Sequence, residues 1–210
     1  MCRKCRSKIS WFDNVPLLSF LILRGKCRNC NSAISLRYPL VELITGIIFL
    51  FVYLRFGYSF PALYFLVLSP ILISIFFIDL DHQIIPDNLV FAGIGVSFLY
   101  LVFVSPEYFY SSFFAGLISS LFLLFLHFIT KGRGMGLGDV KFALLGGMVA
   151  GLPAGRQGLT NIFHWFFIAF LTGAAIGCIL ILLKKYGLKS KIAFGPFLIF
   201  ALFLIIFFRL

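Results

Sequence analysis

Charge is scarce in this sequence. Only 12% of its 210 residues are Asp, Glu, Lys or Arg, and just 7 are acidic. A soluble domain needs a polar, charged surface over its core, so a chain that is 61% hydrophobic with 29 phenylalanines is not one. Other features are missing too. No cleavable signal peptide is visible: the first forty residues are basic, hold four cysteines and contain no uninterrupted apolar core beside a small-residue cleavage site. No serine or cysteine carries a base partner, which leaves covalent nucleophilic catalysis without support. No internal repeat marks the paired halves of a transporter. The glycine-rich stretch at 132–138 follows no strand and opens an apolar segment, so it does not read as a phosphate-binding loop.

What is present is a set of long apolar runs, the mark of membrane-spanning helices. The net charge of +11 does not signal nucleic-acid binding, because the basic residues fall in short segments between apolar runs, where they set topology. Residues 1–39 form a polar, basic module whose one apolar piece, Val15–Leu23, is too short to span and reads as a packing or interfacial element. Seven apolar segments follow, at 40–54, 61–78, 89–104, 110–129, 140–152, 162–183 and 194–208. The fifth is short for a span, and its loop start calls for tilt or for shielding by neighbouring helices. Threading seven spans places every Lys and Arg except Arg55, Arg156 and Arg209 on one side. Positive charge stays cytoplasmic, so that side is inside. The polar connection Gly151–Gly158 falls outside. The fold class expected is an all-α polytopic membrane protein of about seven transmembrane helices. Residues 1–39 form its small cytoplasmic module and residues 40–210 its helical domain.

Two acidic motifs face the inner side. Asp79 closes one apolar segment in Asp79-Leu-Asp-His-Gln-Ile-Ile-Pro-Asp87, and Asp139 opens another in Gly134-Met-Gly-Leu-Gly-Asp139-Val-Lys141. Ionisable groups at such boundaries are costly to place, which makes them functional candidates. Two carboxylates sharing a site cannot both ionise cheaply, leaving an acid beside a base. Hydrolysis by an activated water requires that pair. Glycines 132, 134, 136 and 138 are expected to adopt positive φ and let backbone approach a substrate strand, with Gly136 and Gly138 as its loop. The competing reading makes the aspartates helix caps. Asp87, just ahead of an apolar run, reads as an N-cap, and His82 as a proton shuttle or a solvated side chain. Glu42, inside the first apolar run, calls for a basic partner from the module or a place near the interface. His127 and His164 read as structural, and Cys178 as a small buried hydrophobe.

Cys2-x-x-Cys5 and Cys27-x-x-Cys30 have the spacing of a four-thiolate zinc knuckle, which ties two short loops together where there is little core. A cytoplasmic module disfavours disulfides.

These residues, with Arg37-Tyr-Pro-Leu-Val-Glu-Leu43 and Phe194-Gly-Pro196, resemble the bacterial type IV prepilin peptidases over nearly the whole chain. The resemblance implies a bifunctional inner-membrane enzyme. It would cut the short basic leader from type IV prepilins and pseudopilins after a glycine, at the cytoplasmic face. It would then methylate the new N-terminus with S-adenosylmethionine. Asp79 and Asp139 match the catalytic aspartates, and the four cysteines match a zinc-binding domain. Gly25-Lys26 match a pattern in the half linked to methylation, with no methyl-donor residue assigned. The family carries one more transmembrane helix ahead of the cysteines, so the expectation is a truncated start or a shortened member. Two alternatives stay open: an intramembrane aspartic protease without methyl transfer, and a proton-coupled transporter. Partners are the substrate and the lipid bilayer, with no nucleic acid and an undefined oligomeric state.

Overall fold

The computed structural model describes residues 2, 4–132, 134–152, 158–183 and 192–208. Arg3, Arg133, most of the 151–158 connection and the lysines at 184–191, all of which entered the charge count, lie outside them. The described structure is all-α, and the chain divides into two compact units, Met1–Leu54 and Arg55–Leu210.

The first unit starts with the cysteine loops and a single 3-10 turn at Trp11–Asn14. A five-residue helix, α1 (Leu18–Ile22), follows, and then the long helix α2 (Arg37–Phe56), which runs on two residues past the unit's boundary. The loops are held by backbone hydrogen bonds and one isolated bridge, Lys26 to Ala33. Helix α2 leaves most of its apolar side chains exposed, as a helix in contact with lipid does.

The second unit is a bundle of α3 (Phe60–His82), α4 (Asp87–Phe103), α5 (Phe109–Ile129), α6 (Leu137–Gly151), α7 (Gly158–Leu182) and α8 (Gly195–Phe208). Ser59 caps α3 by accepting the Ala62 N–H at 3.3 Å, and Gln83 ends it in a left-handed turn at φ +54°. Helices α2, α3, α5 and α7 are long and apolar enough to cross a membrane, while α4 and α8 are shorter apolar helices. Each predicted apolar segment lies on one of α2 to α8, with ends that agree to about one helical turn.

The short α6 is the centre of the bundle, packed by α4, α5, α7 and α8. From Asp139 to Gly151 every residue except Lys141 and Leu144 is buried. Of the two expectations for this short segment, shielding by neighbouring helices is the one seen, over the 15 residues of α6. Small residues make the close approach possible. A Cβ on Gly147 would lie 2.6 Å from the Ala115 carbonyl, and one on Gly151 would lie 2.9 Å from Ser112 Cα. Such small-xxx-small faces are how helices associate where water supplies no driving force. On the next face, the six-membered ring of the Trp165 indole packs against Gly146, and its Nε1–H donates to the Leu198 carbonyl at 2.8 Å. That one side chain ties α6, α7 and α8 together.

Candidate active site and metal centre

Asp79 sits in the last turn of α3, where its own carbonyl accepts the Gln83 N–H at 2.9 Å. Its side chain is only 4% exposed. Asp139 is the third residue of α6 and only 8% exposed. Its Oδ2 accepts the Gly136 N–H at 3.0 Å, so it supports the helix start from the N3 position, with Gly136 and not Asp139 at the N-cap. That bond fixes the carboxylate rotamer and engages one of the two oxygens.

The two aspartates belong to one neighbourhood, close enough for the charge of Asp79 to act on Asp139. Three loops converge to make it. Ile85, buried in the loop after α3, fits between two glycines: a Cβ on either Gly138 or Gly195 would lie 3.1 Å from an Ile85 carbon. Gly195, the first residue of α8, also lies against Asp79, with its amide beside the carboxylate. A Cβ there would come within 2.5 Å of Asp79 Oδ2. The first turns of α6 and α8 therefore both face the acidic pair, bringing two positive helix-dipole ends to it. Asp79 Oδ2 itself is buried and accepts no hydrogen bond among the described residues. A buried acceptor left unmatched costs on the order of 1–3 kcal/mol, so this oxygen calls for a proton or a water.

The glycine loop departs from expectation. Among glycines 132, 134, 136 and 138 only Gly132 has positive φ, at +71°. Gly138 is small for a different reason: it makes room for Ile85 of its own chain. Gly134 similarly clears Thr130, with a would-be Cβ 3.1 Å from that methyl. His127 holds the loop from below, its Nδ1 donating to the Met135 carbonyl at 2.7 Å, in keeping with a structural role.

Several other expectations are corrected. Pro86, not Asp87, occupies the N-cap of α4. Asp87 instead takes the Lys141 ammonium on both oxygens, at 2.8 and 2.7 Å, joining α4 to the second turn of α6. Of the two readings of Glu42, no basic partner is seen among the described residues; its Oε2 instead accepts the Leu17 N–H at 2.8 Å. Cys178 is exposed on α7, whose outer surface faces away from the bundle. His82 is exposed at the end of α3.

In the first unit the Sγ atoms of Cys2, Cys5, Cys27 and Cys30 all lie within 4.8 Å of one another, a cluster that can hold a metal ion. The two loops are copies of one turn. In each, the first cysteine's N–H reaches a serine carbonyl five residues on (Cys2 to Ser7, 3.0 Å; Cys27 to Ser32, 2.9 Å). The residue after the second cysteine is left-handed in both, Arg6 at φ +56° and Asn31 at φ +53°. The serine hydroxyls meet the second thiol of each pair, Ser7 at 2.9 Å from Cys5 and Ser32 at 3.1 Å from Cys30. Backbone N–H groups of Cys5 and Lys4 around Cys2 pull its thiol down to about 6, which favours the thiolate that a metal would need. The signal for this duplication is in the sequence, where CRKCRSKI and CRNCNSAI share Cys, Arg, Cys, Ser and Ile at matching places.

Comparison with known proteins agrees with this layout. Residues 1–56 match the bacterial peptidase A24 N-terminal domain, and residues 66–178 match the type IV leader peptidase family. A prepilin leader peptidase/N-methyltransferase of Legionella pneumophila is 35% identical over 202 residues, 94% of this chain and 68% of that protein. Proteins of the same description from Neisseria gonorrhoeae (36% identical, 93% of this chain, 66% of that protein) and Aeromonas hydrophila (37%, 95% and 68%) are similar. The chain spans 66–68% of the length of these relatives. No solved structure matches it. With both family matches in order and the relatives aligned across nearly all of it, the chain belongs to the type IV leader peptidase family of bacterial aspartic-type membrane endopeptidases.

Proposed function

We propose that the chain removes the basic leader from type IV prepilins and pseudopilins at the cytoplasmic face of the inner membrane, with Asp79 and Asp139 as its catalytic pair. One observation carries this reading: two buried carboxylates from helices remote in the chain share a neighbourhood, and one oxygen there has no partner. In the proposed reaction one carboxylate takes a proton from water as hydroxide attacks the scissile carbonyl carbon. The other, protonated, first polarises the carbonyl oxygen and then gives its proton to the leaving amide nitrogen as the C–N bond breaks. The loop edge at Gly136, which is exposed, takes the substrate strand, with Gly138 behind it against Ile85. Seven spans, with residues 1–39 as a cytoplasmic module and 40–210 as the peptidase domain, put that surface inside. The excess of Lys and Arg on one side supports this orientation.

The cysteine cluster fits structural zinc. A tetrahedral site with Zn–S bonds of about 2.3 Å separates its sulfurs by ~3.8 Å, and the Cys2 and Cys30 sulfurs are 3.8 Å apart. Bound there, the ion would crosslink the two loops and leave no open position for chemistry. N-methylation of the product with S-adenosylmethionine follows the names of the relatives. A cavity of about 420 Å³ between α5 and α7 does not suit that donor: Ile118, Phe122, Phe166 and their neighbours give it a wholly apolar lining. We assign no residue to methyl transfer.

The test is cleavage of a prepilin by the full chain in membranes with a labelled methyl donor. Asp79→Asn and Asp139→Asn should each lower cleavage on the order of 10²–10⁴-fold while insertion is unchanged. Near-wild-type processing by Asp139→Asn would end the assignment. Cleavage without label on the product would leave a peptidase lacking methyl transfer.

A further inference from the structure

The first unit carries an apolar lobe that its own core does not cover. Trp11 is 83% exposed, Leu18 58%, Leu21 70% and Ile22 73%, all within the short stretch from the 3-10 turn through α1. The lobe is built firmly, so this exposure is not that of a loose loop. Arg28, in the second cysteine loop, grips Asp13 through Nε at 2.8 Å and Nη2 at 2.6 Å, with its guanidinium 5.3 Å from the centre of the Phe12 ring. Ser19 Oγ donates to the Phe12 carbonyl at 3.0 Å, fastening α1 to the 3-10 turn.

A second clasp sets the lobe's position. Leu17 forms a tight turn at φ +60°, ψ −48°, with the Leu18 N–H on the Pro16 carbonyl. Only an unusual constraint keeps a branched residue in that region. The constraint is Glu42, whose carboxylate accepts the Leu17 N–H. Glu42 lies in the second turn of α2, five residues after Arg37, or ~7.5 Å along the axis at 1.5 Å per residue. At 20 residues, α2 has just the length that a bilayer core demands. Its second turn therefore lies within ~7.5 Å of the boundary between headgroups and acyl chains, inside the ~5–10 Å to which interfacial elements sink. A lobe tied to that turn is held at the same depth. Basic side chains flank it, Lys8 before the 3-10 turn and Arg24 and Lys26 after α1, all exposed. Exposed tryptophan and leucine, with exposed lysine and arginine at both ends of the stretch, is the composition of an element lying in a membrane interface.

We propose that the Trp11–Ile22 lobe is a lipid-binding surface that dips into the same leaflet in which α2 begins. The Leu17–Glu42 clasp sets its depth, and Lys8, Arg24 and Lys26 meet anionic headgroups. The cysteine module is thus seated on the membrane as well as tethered to it.

Trp11 reports this directly. The full chain and its Trp11→Phe variant are reconstituted in vesicles of phosphatidylcholine with phosphatidylglycerol, the phosphatidylcholine brominated at either the 6,7 or the 11,12 carbons. The difference between the two proteins isolates Trp11 from Trp165, which the core buries completely. The expected result is blue-shifted Trp11 emission, quenched more strongly by the shallow bromines than by the deep ones. Replacing Leu21 and Ile22 with glutamate should lower that quenching several-fold. Emission at the water position, open to acrylamide and untouched by either lipid, would overturn the proposal. So would blue-shifted emission that neither lipid quenches, because it would mean that protein covers the lobe.

Discussion

The two units meet the same demand by opposite means. Each brings together two chemically matched loops that are distant in sequence, Cys2/Cys5 with Cys27/Cys30 in one and Asp79 with Asp139 in the other. In the first unit only Ser19 and Val52 are buried among its described residues. Thiols, backbone turns and two carboxylate clasps do the holding. In the second, the loops are carried on helices packed around Phe142, Leu145, Met148 and Trp165, all at or near zero exposure. A small unit with little core depends on a crosslink, whereas a helical bundle depends on shape. Damage should therefore be selective.

If the cysteine cluster holds the proposed zinc, the strongest way to break that contrast is to remove the metal. Structural zinc contributes roughly 10–16 kcal/mol in small thiolate modules, far more than a unit with so few buried side chains can replace. Chelation of the full chain in detergent, or joint Cys27→Ser and Cys30→Ser substitution, should leave residues 1–36 open to limited proteolysis. Fragments from α3 to α8 should stay protected and helical. A module that stays protected after the metal is gone would show that the first unit has a core of its own.

How much of this was legible beforehand follows the same division. The helices were legible because apolar runs and their charged breaks are local signals, and lipid enforces them strictly. The cysteine pairing was legible from spacing. The acidic pair was legible only in part. Both carboxylates announced themselves by being misplaced in apolar sequence, but their surroundings did not. Ile85 between Gly138 and Gly195 joins three loops far apart in the chain, and nothing local marks an isoleucine for that place. The same blindness made Asp87 look like a cap, since Lys141 is 54 positions away. The glycines were misread because absence of a side chain serves φ or space equally. Only the fold tells which, and here Gly132 alone needs φ.

Gly195→Ala probes shape rather than crosslinking. The added methyl would fall 2.5 Å from Asp79 Oδ2 and 3.1 Å from Ile85 Cδ1, so the carboxylate or α8 has to move. A displacement of about 1 Å at reacting groups can cost on the order of 10²-fold in rate. Cleavage should fall by about that factor while metal content and protection of residues 1–36 remain as in the wild type. Full activity in Gly195→Ala would mean that the approach of α8 to Asp79 has no part in catalysis.

The smallest effect sharpens the contrast. Lys141 and Asp87 join the two acidic loops at the surface with side chains 45% and 50% exposed. Water screens such a pair, and exposed ion pairs are worth less than ~1 kcal/mol. If packing around Ile85 positions the dyad, Lys141→Ala should change cleavage by no more than a few-fold at ordinary salt, and Asp87→Ala should match it. A double-mutant cycle on the two should return a coupling below ~1 kcal/mol that shrinks further as salt is raised. A loss comparable to that of Gly195→Ala would reverse the ranking. The bundle would then need a surface crosslink to hold its loops, much as the cysteine module is proposed to need a metal.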